Sequence, residues 1–136
     1  MTLSTRIRSG GCLCGAARYT ARGEPLRVGL CHCSDCCKSS GSVFVAFAVW
    51  PRSSFYQAGE TSTYAGRSFC PRCGERLFCL SDRFAEVRIG SLDDAPNDLQ
   101  PIEEIWIKRR ETWLHPIEGA GQYEADAFDA MDPTKN

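Results

Sequence analysis

The 136-residue chain lacks an excess of charge of either sign: 16 Lys and Arg stand against 17 Asp and Glu, for a net charge of −1. A dedicated nucleic-acid binder carries a basic excess, so that class is set aside. Long hydrophobic runs are also missing. The longest purely apolar stretch, residues 43–50, falls far short of the roughly 20 residues that a membrane-spanning helix needs. Residues 1–11 contain Arg6 and Arg8 with no apolar segment behind them, so no secretory signal is read there. The expected compartment is therefore the reducing cytoplasm, where cysteines are not kept as disulfides. Neither a sustained 3.6-residue hydrophobic period nor a low-complexity linker is present. At this length the chain is expected to form one domain able to bury a core.

Against these absences stand nine cysteines, an odd number that spoils a fully paired framework. They fall into clusters: Cys12-Leu13-Cys14, then Cys31-His32-Cys33-Ser34-Asp35-Cys36-Cys37, then Cys70-Pro71-Arg72-Cys73 with Cys79 shortly after. Pairs one or two residues apart suit metal sites, because a short loop aims two thiolates at one point. Alternate residues of a strand share a face, so Cys12 with Cys14, and Cys31 with Cys33, are placed to act together. Cys36 needs a turn to rejoin them, which Ser34 is suited to cap and Gly41 to end.

Two clusters resemble each other. Cys14-Gly15 precedes Tyr19, and Cys73-Gly74 precedes Phe78. A glycine directly after the second cysteine fits a tight turn of positive φ, and each segment then continues as a strand with an aromatic to bury. Two such knuckles face to face form a closed four-thiolate site of Cys12, Cys14, Cys70 and Cys73, the structural type of zinc centre, whose binding energy is part of the folding energy. Cys31, Cys33 and Cys36 supply three ligands and leave a fourth position open, the catalytic arrangement.

Other readings attach to the same residues. Cys70 and Cys73 have a thioredoxin-like redox pair as rival, but such a motif opens a helix in a βαβ context, whereas Arg76 to Leu80 reads as a strand. Cys31, Cys33 and Cys36 have inert buried thiols as rival, which explains three cysteines in six residues poorly. Cys37 and Cys79 read as plain core residues. On a strand His32 points away from Cys31 and Cys33, which suits a packed or hydrogen-bonded ring better than a ligand. Lys108-Arg109-Arg110 is a solvated strand end on its blander reading and an anion-binding patch on its sharper one.

Short strands between Gly, Pro and Ser turns make the chain mainly β. Residues 43–49 read as a central buried strand ended by Pro51. Residues 84–92 read as an alternating strand with Val87 and Ile89 inward and Glu86 and Arg88 outward. Residues 102–108 read as a strand carrying Trp106. From Gly119 onward small and acidic residues (Glu124, Asp126, Asp129, Asp132 against Lys135) read as a poorly ordered tail, or one that orders only against a partner, an option that Tyr123 and Phe128 leave open. The expected organisation is an N-terminal extension over 1–10, a zinc-binding domain over 11–118 and an acidic tail over 119–136.

The motifs Gly11-Cys12-Leu13-Cys14-Gly15, Cys31-His32-Cys33-Ser34-Asp35-Cys36 with Ser39-Ser40-Gly41-Ser42, and Phe69-Cys70-Pro71-Arg72-Cys73-Gly74 resemble the signature of the GFA family. Its members are the glutathione-dependent formaldehyde-activating enzymes and their relatives, including the centromere protein V group. Ile89-Gly90-Ser91-Leu92-Asp93-Asp94, Ile105-Trp106 and Trp113-Leu114 resemble it too, so the likeness runs from about residue 11 to 116. One departure is Cys37, where a basic or polar residue is expected. The resemblance implies a single Mss4-like (β-tent) domain with two zinc ions. Cys12, Cys14, Cys70 and Cys73 fall on the family's structural site, and Cys31, Cys33 and Cys36 on its catalytic one.

The implied activity is that of a carbon–sulfur lyase adding glutathione or another small thiol to a small aldehyde such as formaldehyde. Zinc carrying three thiolates has a net charge near −1 and activates water poorly, whereas a thiol entering the open position is deprotonated and presented as a nucleophile. Asp35 and His32 are candidates to orient a ligand or relay a proton. If the thiol is glutathione, its carboxylates need cations, for which Lys38, Arg52, Arg67 and the Lys108 run compete. The rival readings are a non-catalytic zinc module that binds a protein partner, and a thiol or zinc redox sensor.

Overall fold

A computed structural model describes residues 6–127. The chain is mainly β. Its elements are β1 (Ile7–Gly11), β2 (Arg18–Arg22), β3 (Arg27–Cys31), α1 (Ser34–Ser40), β4 (Val45–Pro51), β5 (Phe55–Ala58), β6 (Ser62–Tyr64), β7 (Arg67–Phe69), β8 (Arg76–Leu80), β9 (Phe84–Arg88), β10 (Glu103–Ile105) and β11 (Gly121–Tyr123). Three short 3-10 turns complete the set. No helix among the described residues is long and apolar enough to cross a membrane.

The chain folds into two compact units. The first takes the chain up to Leu26 together with Ala48–Asn97, and the second takes Arg27–Phe47 and the chain from Asp98 onward. Strand β4 changes unit after Phe47.

In the first unit β1, β2 and β5 form an antiparallel sheet, with β2 between its neighbours. Its side chains alternate as a half-buried strand requires: Tyr19 and Ala21 of β2 are buried while Arg18 and Arg22 are exposed. A second set runs in the order β4, β9, β8, β7, β6, with β6 to β9 joined as an antiparallel meander. The core of this unit is aromatic. Tyr19, Phe55 and Phe78 are all at most 2% exposed, and their ring centroids lie 5.0–5.8 Å apart in stacked and edge-to-face pairs. Each such pair adds about 1 kcal/mol beyond burial. The aromatics that come after the two cysteine knuckles therefore pack on one another.

Strand β9 ends sooner than the alternation suggests, because Ile89–Ser91 form a 3-10 turn. Arg88 is buried, contrary to the outward position expected for it. Its guanidinium lies against the Cys79 thiol across the β8–β9 ladder, a contact that period-2 reasoning does not see.

In the second unit β3, β10 and β11 are parallel, with Cys31 opposite Ile105 and Ile105 opposite Tyr123. The order is β11, β10, β3, β4. The expected strand over 102–108 is cut to Glu103–Ile105, because Trp106 turns left-handed with φ +60° and a 3-10 turn, Ile107–Arg109, comes next. Strand β11 corrects the reading of residues after Gly119 as a poorly ordered tail: Gly121–Tyr123 pair with β10 instead. Phe128, Asp129, Asp132 and Lys135 lie outside the described residues.

Candidate metal centres

The first unit brings Cys12, Cys14, Cys70 and Cys73 together, their sulfurs all within 4.8 Å of one another. Two matched knuckles do this. In one, the Cys12 N–H donates to the Ala17 carbonyl and the Gly15 N–H returns to the Cys12 carbonyl, at 3.0 and 3.1 Å. In the other, the Cys70 N–H donates to the Glu75 carbonyl and the Gly74 N–H to the Cys70 carbonyl, at 3.0 and 2.7 Å. Gly15 and Gly74 both sit at φ +81°, the left-handed conformation anticipated for them and disfavoured for residues with a Cβ.

The donor set fits a metal. Sulfurs bound at 2.3 Å around one tetrahedral zinc stand about 3.8 Å apart, and the Cys12–Cys14 and Cys14–Cys70 separations are 3.6 and 3.8 Å. Backbone N–H groups already point at sulfur: Ala17 at Cys12, and Arg72 and Cys73 at Cys70, at 3.3–3.4 Å. The Ala17 N–H is the main reason that the Cys12 thiol is drawn down to about 6. At Cys14 the Ala16 N–H favours the thiolate, but burial and the three neighbouring sulfurs outweigh it and push the thiol up to about 11. Four thiolates so close repel one another, and a divalent cation among them would favour the ionised form of all four.

The second unit brings Cys31, Cys33 and Cys36 together within the same limit, and among the described residues the group has three members. Strand β3 delivers Cys31, which is buried, while Cys33 and Cys36 are half-buried. Cys33, rather than Ser34, is the N-cap of α1, and its sulfur accepts the Cys36 N–H at 3.3 Å. A sulfur at that place does the work of a capping hydroxyl oxygen. Gly41 ends the helix at φ +73°, as its position suggested. Burial raises the Cys33 thiol above its ordinary value. Cys37 is half-buried and donates to the His32 carbonyl, at 3.6 Å, so its side chain is turned to backbone. Cys79, in the first unit, is half-buried and lies outside both groups.

His32 is 1% exposed and packs beside Phe44. Its Nε2 lies 2.9 Å from Glu104 Oε1. Glu104, also 1% exposed, accepts the Ile117 N–H at 2.7 Å and the Gln122 amide at 3.1 Å, and Arg110 lies 3.4 Å away. Burial alone would raise this carboxyl. The Ile117 N–H, His32, Gln122 and Arg110 overcome it and hold Glu104 down at about 2. A carboxylate has no proton to give, so the imidazole donates. Sequence reasoning found the orientation of His32 and missed Glu104. The available signal was two adjacent glutamates in a strand between Ile102 and Ile105, one of which must face inward.

The chain matches the model of the glutathione-dependent formaldehyde-activating enzyme (GFA) family over residues 7–109. It is 34% identical over 74 residues to an uncharacterized lyase of Schizosaccharomyces pombe (strain 972), a match covering 51% of this chain and only about half, 54%, of that protein. A crystal structure of a Rhodobacter sphaeroides protein superposes with a TM-score of 0.52 at 19% identity, over 71% of this chain and 98% of that one. At that identity the likeness speaks for the fold. With both cysteine clusters assembled and the family model spanning most of its length, the chain belongs to the GFA family.

Proposed function

We propose that the chain is a zinc-dependent carbon–sulfur lyase that joins a small thiol, such as glutathione, to a small aldehyde of the formaldehyde type, or runs the reverse. The observation that carries this reading is the inequality of the two clusters: four sulfurs in one, three in the other. Cys12, Cys14, Cys70 and Cys73 would hold a structural zinc, and Cys31, Cys33 and Cys36 a catalytic one. Bound there, zinc would supply the positive charge that lowers the pKa of an incoming thiol. The family's name and the naming of the S. pombe relative as a lyase support the reaction class.

In this reading the protein's cysteines stay ligands, and none attacks the aldehyde. The substrate sulfur adds to the carbonyl carbon, a C–S bond forms as the carbonyl π bond breaks, and the proton lost from the thiol moves to the carbonyl oxygen. No oxidant enters, and the reverse breaks the same bond. The task of the chain is to hold the three sulfurs still. The Cys36 N–H fixes Cys33, while Glu104 fixes His32, the residue between Cys31 and Cys33.

The test is thiol-dependent consumption of aldehyde above the uncatalysed addition. Cys33→Ala is expected to abolish it while the domain stays folded, and Cys73→Ala to unfold the first unit. Equal rates with and without protein at saturating zinc would refute the lyase. Unfolding by both substitutions would favour the non-catalytic zinc module.

A further inference from the structure

The peptide that joins Cys31 to Cys33 is held through His32. The His32 N–H donates to the Ile105 carbonyl of β10 at 3.1 Å, and its carbonyl accepts the Cys37 thiol of α1 at 3.6 Å. Its buried ring donates from Nε2 to Glu104 Oε1 at 2.9 Å. The ring's other nitrogen, Nδ1, has no hydrogen-bond partner among the described residues. Glu104 is therefore the ring's polar tether, and it too stands on β10.

Glu104 carries the constraint further. Oε1 faces His32, with Arg110 3.4 Å away, while Oε2 accepts the Ile117 N–H at 2.7 Å and the Gln122 amide at 3.1 Å. One carboxylate thus bridges the cysteine loop and the segment from Ile117 to Gln122, with a different oxygen for each side. Inside a protein such a network is strong when complete and costly when broken.

The far side of the bridge is a small element. Strand β11 has three residues, none of them buried, and lies at the end of its sheet, paired with β10. So short a strand gains little from packing, and the Gln122 contact with Glu104 is a sizeable part of what docks it.

We infer that Glu104 is a positioning residue for the three-sulfur centre, and that it couples metal binding at Cys31, Cys33 and Cys36 to the docking of residues 117–122. This rests on the reading above that those cysteines hold a metal. Partners that orient a metal site from outside its ligands change metal affinity about 10–100-fold. Coupling of this kind is reciprocal: the factor by which the docked segment favours the metal is the factor by which the metal favours docking.

The experiment compares wild type with Glu104→Gln, His32→Phe and the double variant. A side-chain amide has one acceptor oxygen where a carboxylate has two, so Glu104→Gln cannot serve both sides of the bridge. His32→Phe cuts the bridge at its other end and leaves Glu104 with Ile117, Gln122 and Arg110. Zinc affinity is read by chelator competition where circular dichroism shows each protein folded. Either variant is expected to bind the exchangeable zinc about tenfold more weakly, with the four-sulfur site unchanged and no further loss in the double variant. Zinc at the exchangeable site is expected to slow hydrogen exchange of the Ile117 amide about tenfold in wild type and in neither variant.

A merely structural role would lower stability without moving the ratio of the two zinc affinities. An unchanged ratio, or Ile117 exchange indifferent to zinc in wild type, would overturn the inference and leave the metal reading standing. Wild type without an exchangeable zinc would overturn both. Failure of both single variants to fold would show a scaffold role alone and overturn the inference as well.

Discussion

Glu104 anchors a buried polar network in the second unit. It is a buried carboxylate serving a histidine ring, a backbone N–H, an amide and an arginine. Removing one partner of such a network strands the others in low dielectric, at a cost of about 3–5 kcal/mol. Glu104→Ala is expected to lower stability on that scale in urea unfolding. Acid should act on the same group. Its folded value, about 2, lies below the ordinary 4.5, so the contribution is complete above the unfolded value and is lost as pH falls from about 4.5 toward 2. Loss of bound zinc would destabilise in acid too. The comparison is therefore between wild type and Glu104→Gln, whose unfolding midpoints should converge as pH is lowered through that window.

Among the elements, the knuckles make separable demands on glycine. At Gly15 and Gly74 a Cβ would meet nothing within 4 Å, so only the positive φ opposes a side chain. Gly15→Ala and Gly74→Ala are expected to cost about 1–2 kcal/mol each. Gly59, after β5, has φ +89°, and a Cβ there would stand 2.0 Å from the Ala16 carbonyl oxygen. Gly59→Ala should therefore cost clearly more than either, because backbone must move as well. Thermal unfolding of the three variants with zinc present would order them, and a Gly59→Ala effect no larger than the others would contradict the argument. Strand β8 was legible from its sequence bounds, Arg76 to Leu80, because a knuckle and a turn punctuate it. Strand β10 was legible as part of 102–108 but not its early end, and β11 was not legible, since three residues carry no period and both depend on parallel partners distant in sequence.

For the whole molecule, each unit contains one sulfur cluster. In the first, Cys14 and Cys70 meet across 56 residues, so a metal there would close a long loop and contribute directly to folding. Protein purified without added metal is expected to contain about two zincs per chain, falling to about one after brief exposure to a mild chelator. The remaining ion should be held by the four-sulfur cluster, with secondary structure retained by circular dichroism. Two ions that both resist removal would count against an open position at Cys31, Cys33 and Cys36.

The membership of both clusters could be read before any coordinates, because ligand spacing is local: one or two residues between thiolates already aim them at one point, and Gly15 and Gly74 mark the turns. The expectation that His32 is a hydrogen-bonded ring rather than a ligand came from strand alternation in the same way. What alternation cannot supply is a partner. Glu104 lies 72 residues from His32, Arg88 is buried by a contact across a ladder, and Trp106 takes its left-handed turn because Ala125 and Asp126 hold it there. The basic run 108–110 looked uniform in sequence, yet its members have different surroundings: a carboxylate for Arg110, an indole for Lys108, solvent for Arg109. Those assignments are long-range, since whether a charge is engaged or left in solvent depends on which distant groups the chain packs against it.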